Sequence, residues 1–137
     1  MAIKAEPLVQ HVERCYRTED WDGLAEIYAT EVLLDVHVPR WRFQLQGPNV
    51  VVDWYKEQIS HFEKFRVTWA RATPMEGGVV VEWEMRTGEG DNEQLCREVD
   101  ILHGDGMRIH THVVWCTGMW DQQTIKRQQA EAPMVRW

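Results

Sequence analysis

Apolar and polar residues alternate along most of this chain, and the period of the alternation predicts its elements. From Glu6 to Arg17, Leu8, Val12, Cys15 and Tyr16 recur at helical spacing, with Pro7 in the first turn, where proline is tolerated. Thr18-Glu19-Asp20 breaks the pattern. Asp20 can cap a second short helix whose apolar side is Trp21, Leu24, Ala25, Ile27 and Tyr28. Glu31 to Pro39 switches to period two, with Leu34, Val36 and Val38 on one face and Asp35 and His37 on the other. Trp41, Phe43 and Leu45 then alternate with Arg42, Gln44 and Gln46. After Gly47-Pro48-Asn49 a third helix runs to about Phe62, with Val51, Trp54, Tyr55, Ile59 and Phe62 on one side.

Beyond that helix the pattern is strand. Phe65, Val67 and Trp69 alternate with Arg66 and Thr68, and Val81, Trp83 and Met85 alternate with Glu82, Glu84 and Arg86. Gln94 to Cys116 reads as a hairpin around Gly104-Asp105-Gly106. The tail from Gly118 carries Trp120, Ile125 and a polar Gln/Lys/Arg face, then Pro133 and Trp137. Helices early and strands late imply an α+β fold. A strongly curved sheet, mixed or antiparallel, with three helices across its concave side would bury both sets of apolar faces. It would leave an apolar pocket into which Trp54 and Tyr55 look. No repeat or linker interrupts the 137 residues, so one domain over 1–137 is expected.

The hairpin holds the densest chemistry. Leu95, Val99 and Ile101 alternate with Cys96, Glu98 and Asp100; Ile109, Val113 and Trp115 alternate with His110, His112 and Val114. Side chains two apart on a strand share a face. A two-residue turn at Asp105-Gly106 would pair Gly104 with Met107 and set Asp100 opposite Thr111, with the histidines facing away. A three-residue loop with a left-handed Gly106 would pair His103 with Met107, Asp100 with His110 and Glu98 with His112. In the second arrangement a carboxylate meets an imidazole in a dry pocket. His110 or His112 would then serve as base and Asp100 as its orienting or donating partner, with Glu98 beside them. His-x-His with Glu98 and Asp100 would also suit a divalent metal, though no metal ligand is assigned. Asp35 and His37 form a second pair, expected to be exposed.

Charge narrows the field. A net charge of −7 without a basic run argues against nucleic acid or an acidic membrane surface as partner. No apolar stretch is long enough to span a bilayer, and the first residues lack a signal-peptide core, so a cytoplasmic location is expected. Cys15, Cys96 and Cys116 have no metal-type spacing and read as reduced core thiols. Eight tryptophans against three phenylalanines suggest core mass or a pocket wall.

The run from Val9-Gln10 through Asp20-Trp21-Asp22-Gly23-Leu24-Ala25-Glu26-Ile27-Tyr28-Ala29 resembles the opening of NTF2-like, SnoaL-like proteins. So does Gly47 before a helix containing Trp54-Tyr55, and so does Val99-Asp100-Ile101-Leu102 followed by Asp105-Gly106 and Ile109. The resemblance implies the NTF2-like cone, an α+β fold. That superfamily holds polyketide cyclases, ketosteroid isomerases, limonene epoxide hydrolases, scytalone dehydratase and members without chemistry. By resemblance, Asp100 matches the cavity aspartate of the isomerases and of the epoxide hydrolases. Glu98 falls where the hydrolases carry arginine. Val36 and Val12 stand where the isomerases carry their base aspartate and a helix-one tyrosine, which argues against steroid isomerisation. Tyr55 matches a tyrosine of the isomerases' third helix. His110 and His112 with Asp100 resemble in kind the histidine–aspartate pair of the SnoaL-like cyclases. The family tends to point the residue after this isoleucine inward, which favours both histidines inside; this chain has an extra residue between Gly106 and Ile109.

The expected function is a small-molecule enzyme of the cyclase, dehydratase, isomerase or hydrolase type. It would use acid–base catalysis and no cofactor on an apolar, cyclic substrate in a Trp-lined cavity. Tyr16, Trp41, Trp54, Tyr55, Trp83 and Val114 are the candidate ligand contacts. A homodimer through the convex sheet face is also expected. The competing expectation is a non-catalytic module of the same fold that holds a hydrophobic ligand or only dimerises.

Overall fold

The computed structural model describes residues 2–106 and 108–135. Helix α1 spans Ala5–Thr18 and α2 spans Trp21–Ala25, the latter capped by Asp20, whose Oδ1 accepts from the Gly23 N–H at 2.9 Å. Strands β1 (Tyr28–Val38) and β2 (Trp41–Gln46) form a hairpin. Helix α3 (Pro48–Ser60) follows. Then come β3 (Arg66–Met75), β4 (Gly78–Thr87), β5 (Gln94–Asp105) and β6 (Arg108–Cys116), and a final helix α4 (Gln122–Glu131). Tyr28, expected on the second helix, instead opens β1.

The strands make one curved, unclosed sheet in the order β2-β1-β6-β5-β4-β3. β1 and β6 run parallel and all other neighbours antiparallel, so the sheet is mixed. This is the expected α+β cone. The core lies between the helices and the inner sheet face. Cys15 of α1, Leu24 of α2 and Val51 of α3 are fully buried with Val32, Leu34 and Val36 of β1 and Val79 and Val81 of β4. Packing of this kind, rather than intrinsic propensity, holds helices of this length.

Period two gives the correct inner set on β1 from Leu33 onward and on β4, where these pairings run without a shift. It fails on β3 and β6, where bulges intervene. On β3 the pairing moves from Val67↔Met85 to Trp69↔Glu84, which leaves Thr68 without an opposite residue. Trp69, expected in phase with Val67, therefore turns to the outer face, and Ala70 and Ala72 pack inward. Asp35 was expected to be exposed. It is on the outer face, but it is buried beneath Arg42, which donates to both carboxylate oxygens from Nε at 2.9 Å and Nη2 at 2.7 Å. That fork holds the Asp35 carboxyl down at about 2.

The β5–β6 turn follows neither expected register. Both expected pairings involve Met107, which lies outside the described residues. The flanking pairs are Asp105↔Arg108 and Gly104↔Ile109, and Gly106 is left-handed at φ 63°. The ladder then shifts by one to His103↔Thr111, leaving His110 as the extra residue of a bulge. Gly104 makes the shift possible: a Cβ there would run into the Arg108 carbonyl oxygen. Gly104→Ala should therefore lose about 1–3 kcal/mol of stability, as overpacking does. A shift of the denaturant midpoint would show this, and an unchanged midpoint would mean the strands have room to spare.

Candidate active site

The bulge at His110 decides which groups of the hairpin meet. Without it, His110 and His112 would share a face with Val114. With it, Ile109, His112 and Val114 turn inward, at 1%, 4% and 2% exposure, and His110 is left outside. There its Nδ1 meets Glu31 Oε1 at 2.6 Å in an exposed hydrogen bond. The expected contact of Asp100 with His110 is not formed: Asp100 lies opposite Val114, and Glu98 opposite Cys116. Asp100 reaches His112 along the diagonal.

The result is a buried hydrogen-bonded chain. The Tyr28 hydroxyl lies 3.0 Å from His112 Nδ1, and His112 Nε2 lies 2.8 Å from Asp100 Oδ2. Burial and the neighbouring acids push the Tyr28 hydroxyl well above its ordinary pKa, so it stays protonated and donates to Nδ1. The proton of the neutral imidazole then sits on Nε2 and is donated to Asp100. Burial lowers the His112 pKa to about 4, with Glu98 opposing that shift. Both ring nitrogens are occupied, and His112 does not border the cavity described next. The rings of Tyr28 and Tyr55 lie nearly parallel to the imidazole, at 5.9 and 6.1 Å between centroids.

Asp100 does face a cavity. It encloses about 210 Å³ between α1, α3 and the inner sheet face. Asp100 and Glu98 of β5 share its wall with Tyr16, Trp54, Tyr55, Trp83 and Val114. Of the six expected ligand contacts only Trp41 is missing. It stands at the β1–β2 turn, 70% exposed, and lines a groove on the outer side of the sheet. Glu98 borders both cavity and groove, which accounts for its partial exposure. The cavity end of β5 and β6 also carries Cys96 and Cys116, which are free thiols as expected.

Burial sets the electrostatics here. It raises the Asp100 carboxyl from 3.8 to about 7. The neighbouring Glu98 carboxyl and Trp83 indole partly offset that rise. Burial and the Asp100 charge push Glu98 well above the usual carboxylate range. Two buried polar atoms are left without an intramolecular partner among the described residues, Asp100 Oδ1 and the Tyr55 hydroxyl, and both residues line the cavity. Among the described residues no group of three or more His, Cys, Asp and Glu is arranged to hold a metal ion.

Tyr28 is the member of this site that sequence reasoning missed. Its apolar neighbours read as helix, and nothing in the alternation marks it as facing a histidine 84 positions later.

The linked titrations give a signed expectation. Asp100 stays protonated in the fold up to about pH 7, against 3.8 when unfolded, so its contribution to stability is full below 3.8 and lost as the pH rises to 7. His112 runs the other way. Its contribution is full above 6.5 and lost as the pH falls to about 4. Between about 4 and 6.5 the two slopes nearly cancel. Asp100→Asn removes one of them. Its unfolding free energy, relative to the parent, should rise by roughly 1.4 kcal/mol per pH unit across that window. Parallel pH profiles for the two proteins would show that Asp100 ionises normally in the fold.

Known proteins place this geometry in a family. The model of the SnoaL-like domain matches residues 8–115. No curated protein matches. Among solved structures, the chain is similar to a hypothetical protein of ketosteroid isomerase-like fold from Catenulispora acidiphila, solved with trimethylamine. They share 12% identity at a TM-score of 0.66, over 93% of this chain and 95% of that one. A candidate SnoaL-like polyketide cyclase from Shewanella putrefaciens shares 16% identity at a TM-score of 0.63, over 90% and 82%. A candidate ketosteroid isomerase from Kribbella flavida shares 11% identity at a TM-score of 0.67, over 96% and 89%. Identities this low carry the fold alone, and it is the family model, matched across most of the chain, that shows where the protein belongs: it is a member of the SnoaL-like domain family.

Proposed function

We propose that this protein is a small-molecule enzyme of the cyclase or isomerase type, working by acid–base catalysis on a compact cyclic substrate. One observation carries this reading: Asp100 has one carboxylate oxygen held by His112 and the other free beside an aromatic cavity. A carboxyl near 7 can both take and return a proton at neutral pH. In this reading Asp100 Oδ1 removes a proton next to a substrate carbonyl. His112, oriented by Tyr28, donates to Oδ2 and fixes the carboxylate. Negative charge then develops on the substrate oxygen. The Tyr55 hydroxyl, kept protonated by burial and nearby acids, and the Glu98 carboxylic acid are the donors available to meet it. Asp100 then returns the proton at a second carbon or to the oxygen. Relative to the sequence expectation, the roles of the pair are exchanged: the carboxyl meets substrate and the imidazole positions it.

Deuterium uptake next to the carbonyl of a compact cyclic ketone such as 1-indanone, followed by NMR, tests this. The parent should accelerate exchange, Asp100→Asn should lose roughly 100-fold to 10,000-fold, and Tyr28→Phe should lose less. Exchange at the buffer rate in the parent would favour the alternative, a binding module without chemistry.

We further propose that a second copy of the chain covers the outer sheet face. Trp69, Val99 and Trp115 are exposed there at 38%, 36% and 52%, with Trp41 at the groove's edge. Arg97 and Arg71 lie over the Trp69 ring at 5.2 and 5.7 Å, and His37 stacks on Trp115 at 3.7 Å. An apolar patch interleaved with charges of both signs suits a two-fold interface, in which the patch meets itself. Trp115→Glu should convert a dimer to a monomer in sedimentation velocity. A parent already monomeric at micromolar concentration would overturn this.

A further inference from the structure

The cavity contains two carboxyl groups and, among the described residues, no cationic side chain. Glu98 and Asp100 stand two apart on β5 and both border it, and none of the described residues that line it is Lys, Arg or His. The rest of its wall is largely apolar and includes the rings of Tyr16, Trp54, Tyr55 and Trp83. Asp100 and Tyr55 are 5% and 8% exposed, yet Asp100 Oδ1 and the Tyr55 hydroxyl lack a partner. Buried polar atoms left open in this way are fitted to meet a ligand.

The electrostatics select among ligands. An anion entering here would meet two acids and no cation. A neutral molecule would leave any charge on the acid pair uncompensated in an apolar space, where such charge is costly. An organic cation compensates that charge, and its alkyl groups lie well against ring faces. The volume, about 210 Å³, is below the roughly 300–1,000 Å³ usual for drug-sized ligands, so the molecule is compact.

We propose that the cavity binds a compact organic cation, a protonated amine or quaternary ammonium, with Glu98 and Asp100 as its counter-charge and the rings of Trp54, Tyr55 and Trp83 against its alkyl groups. This rests on the acid–base reading of the same cavity and names the class of molecule it takes.

Cation binding favours the ionised acids, so it expels a proton from the pair and strengthens as the pH rises from about 5 to 7. The other titratable groups around the pair are Tyr16 of α1, Tyr28 of β1, Tyr55 of α3, Cys96 of β5, and His112 and Cys116 of β6. The tyrosines stay protonated in this range, and His112 stays neutral above about 4. Cys96 is pushed up, out of this range. Cys116, whose thiol is shifted down by its contact with Cys96, is removed from consideration by Cys116→Ser.

The test compares three probes of one shape: choline, the neutral 3,3-dimethyl-1-butanol and the anionic 3,3-dimethylbutanoate. Calorimetry in buffers of different ionisation enthalpy reads affinity and proton release. Choline should bind about tenfold or more tightly than the alcohol, and the carboxylate should not bind. The preference should vanish in Glu98→Gln/Asp100→Asn. Should that variant not fold, the pH dependence in the parent gives the same answer. Equal binding of choline and the alcohol, a preference that survives in the double variant, or no choline binding up to about 10 mM would each overturn the proposal. If the alcohol binds best while the parent still exchanges 1-indanone protons, the acid–base reading stands and the cation falls. Cation preference without exchange gives the reverse.

Discussion

Burying a carboxyl group without a cation is the constraint on which this site depends. Asp100 sits on a largely apolar inner face, and among the described residues that line its cavity there is no lysine or arginine. If it ionises there, the fold gives up about 4 kcal/mol, the difference between 3.8 and about 7 expressed as free energy. The fold answers with donors instead of a counter-ion. His112 supplies an N–H, and Tyr28 fixes which nitrogen carries it. Neither donor brings a full charge, so the carboxyl keeps its affinity for a proton. A lysine at the position of His112 would have held Asp100 permanently ionised and useless as a proton carrier near neutral pH.

That chain of donors requires β1, β5 and β6 in one register. Tyr28 enters from the start of β1, which runs parallel to β6, and its pairing with Ile109 is offset from the later pairs that begin at Leu33↔Thr111. The bulge at His110 brings His112 into line. Both irregularities lie next to the site, and the one on β6 displaces side chains by one position, as bulges do. Here a structural defect in the ladder is the means by which a histidine reaches the inside.

The same feature explains how far the sequence could be read. Element order, the capping of α2 by Asp20 and the inner set on β1 and β4 follow from spacing, because regular ladders preserve period two. Trp54 and Tyr55 were expected in the cavity from the helical stripe of α3, and Asp100 from its match to the family's cavity aspartate; all three line it. The extra residue between Gly106 and Ile109 was visible, but its effect was not: alternation has no term for a residue that drops out of the count. His110 and Trp69 were therefore assigned to the wrong side by bulges on β6 and β3. Tyr28 was missed for a different reason. Leu24, Ala25, Ile27 and Tyr28 fit a helical stripe, and only the tertiary pull of β6 makes Tyr28 the first residue of a strand.

The tryptophans show how one sheet serves two purposes. Trp83, in phase on the regular β4, is 5% exposed and forms cavity wall. Trp69 and Trp115 would have crowded the same space, and the bulge on each of their strands puts them on the opposite face. Three indoles from β3, β4 and β6 on the inner face would add bulk around the cavity beside Asp100. Turning two of them out leaves the cavity lined by Trp83 and places apolar surface on the outer face. An open inner cavity and a sticky outer face are thus consequences of the same two insertions, so a change that removed either bulge would alter both at once.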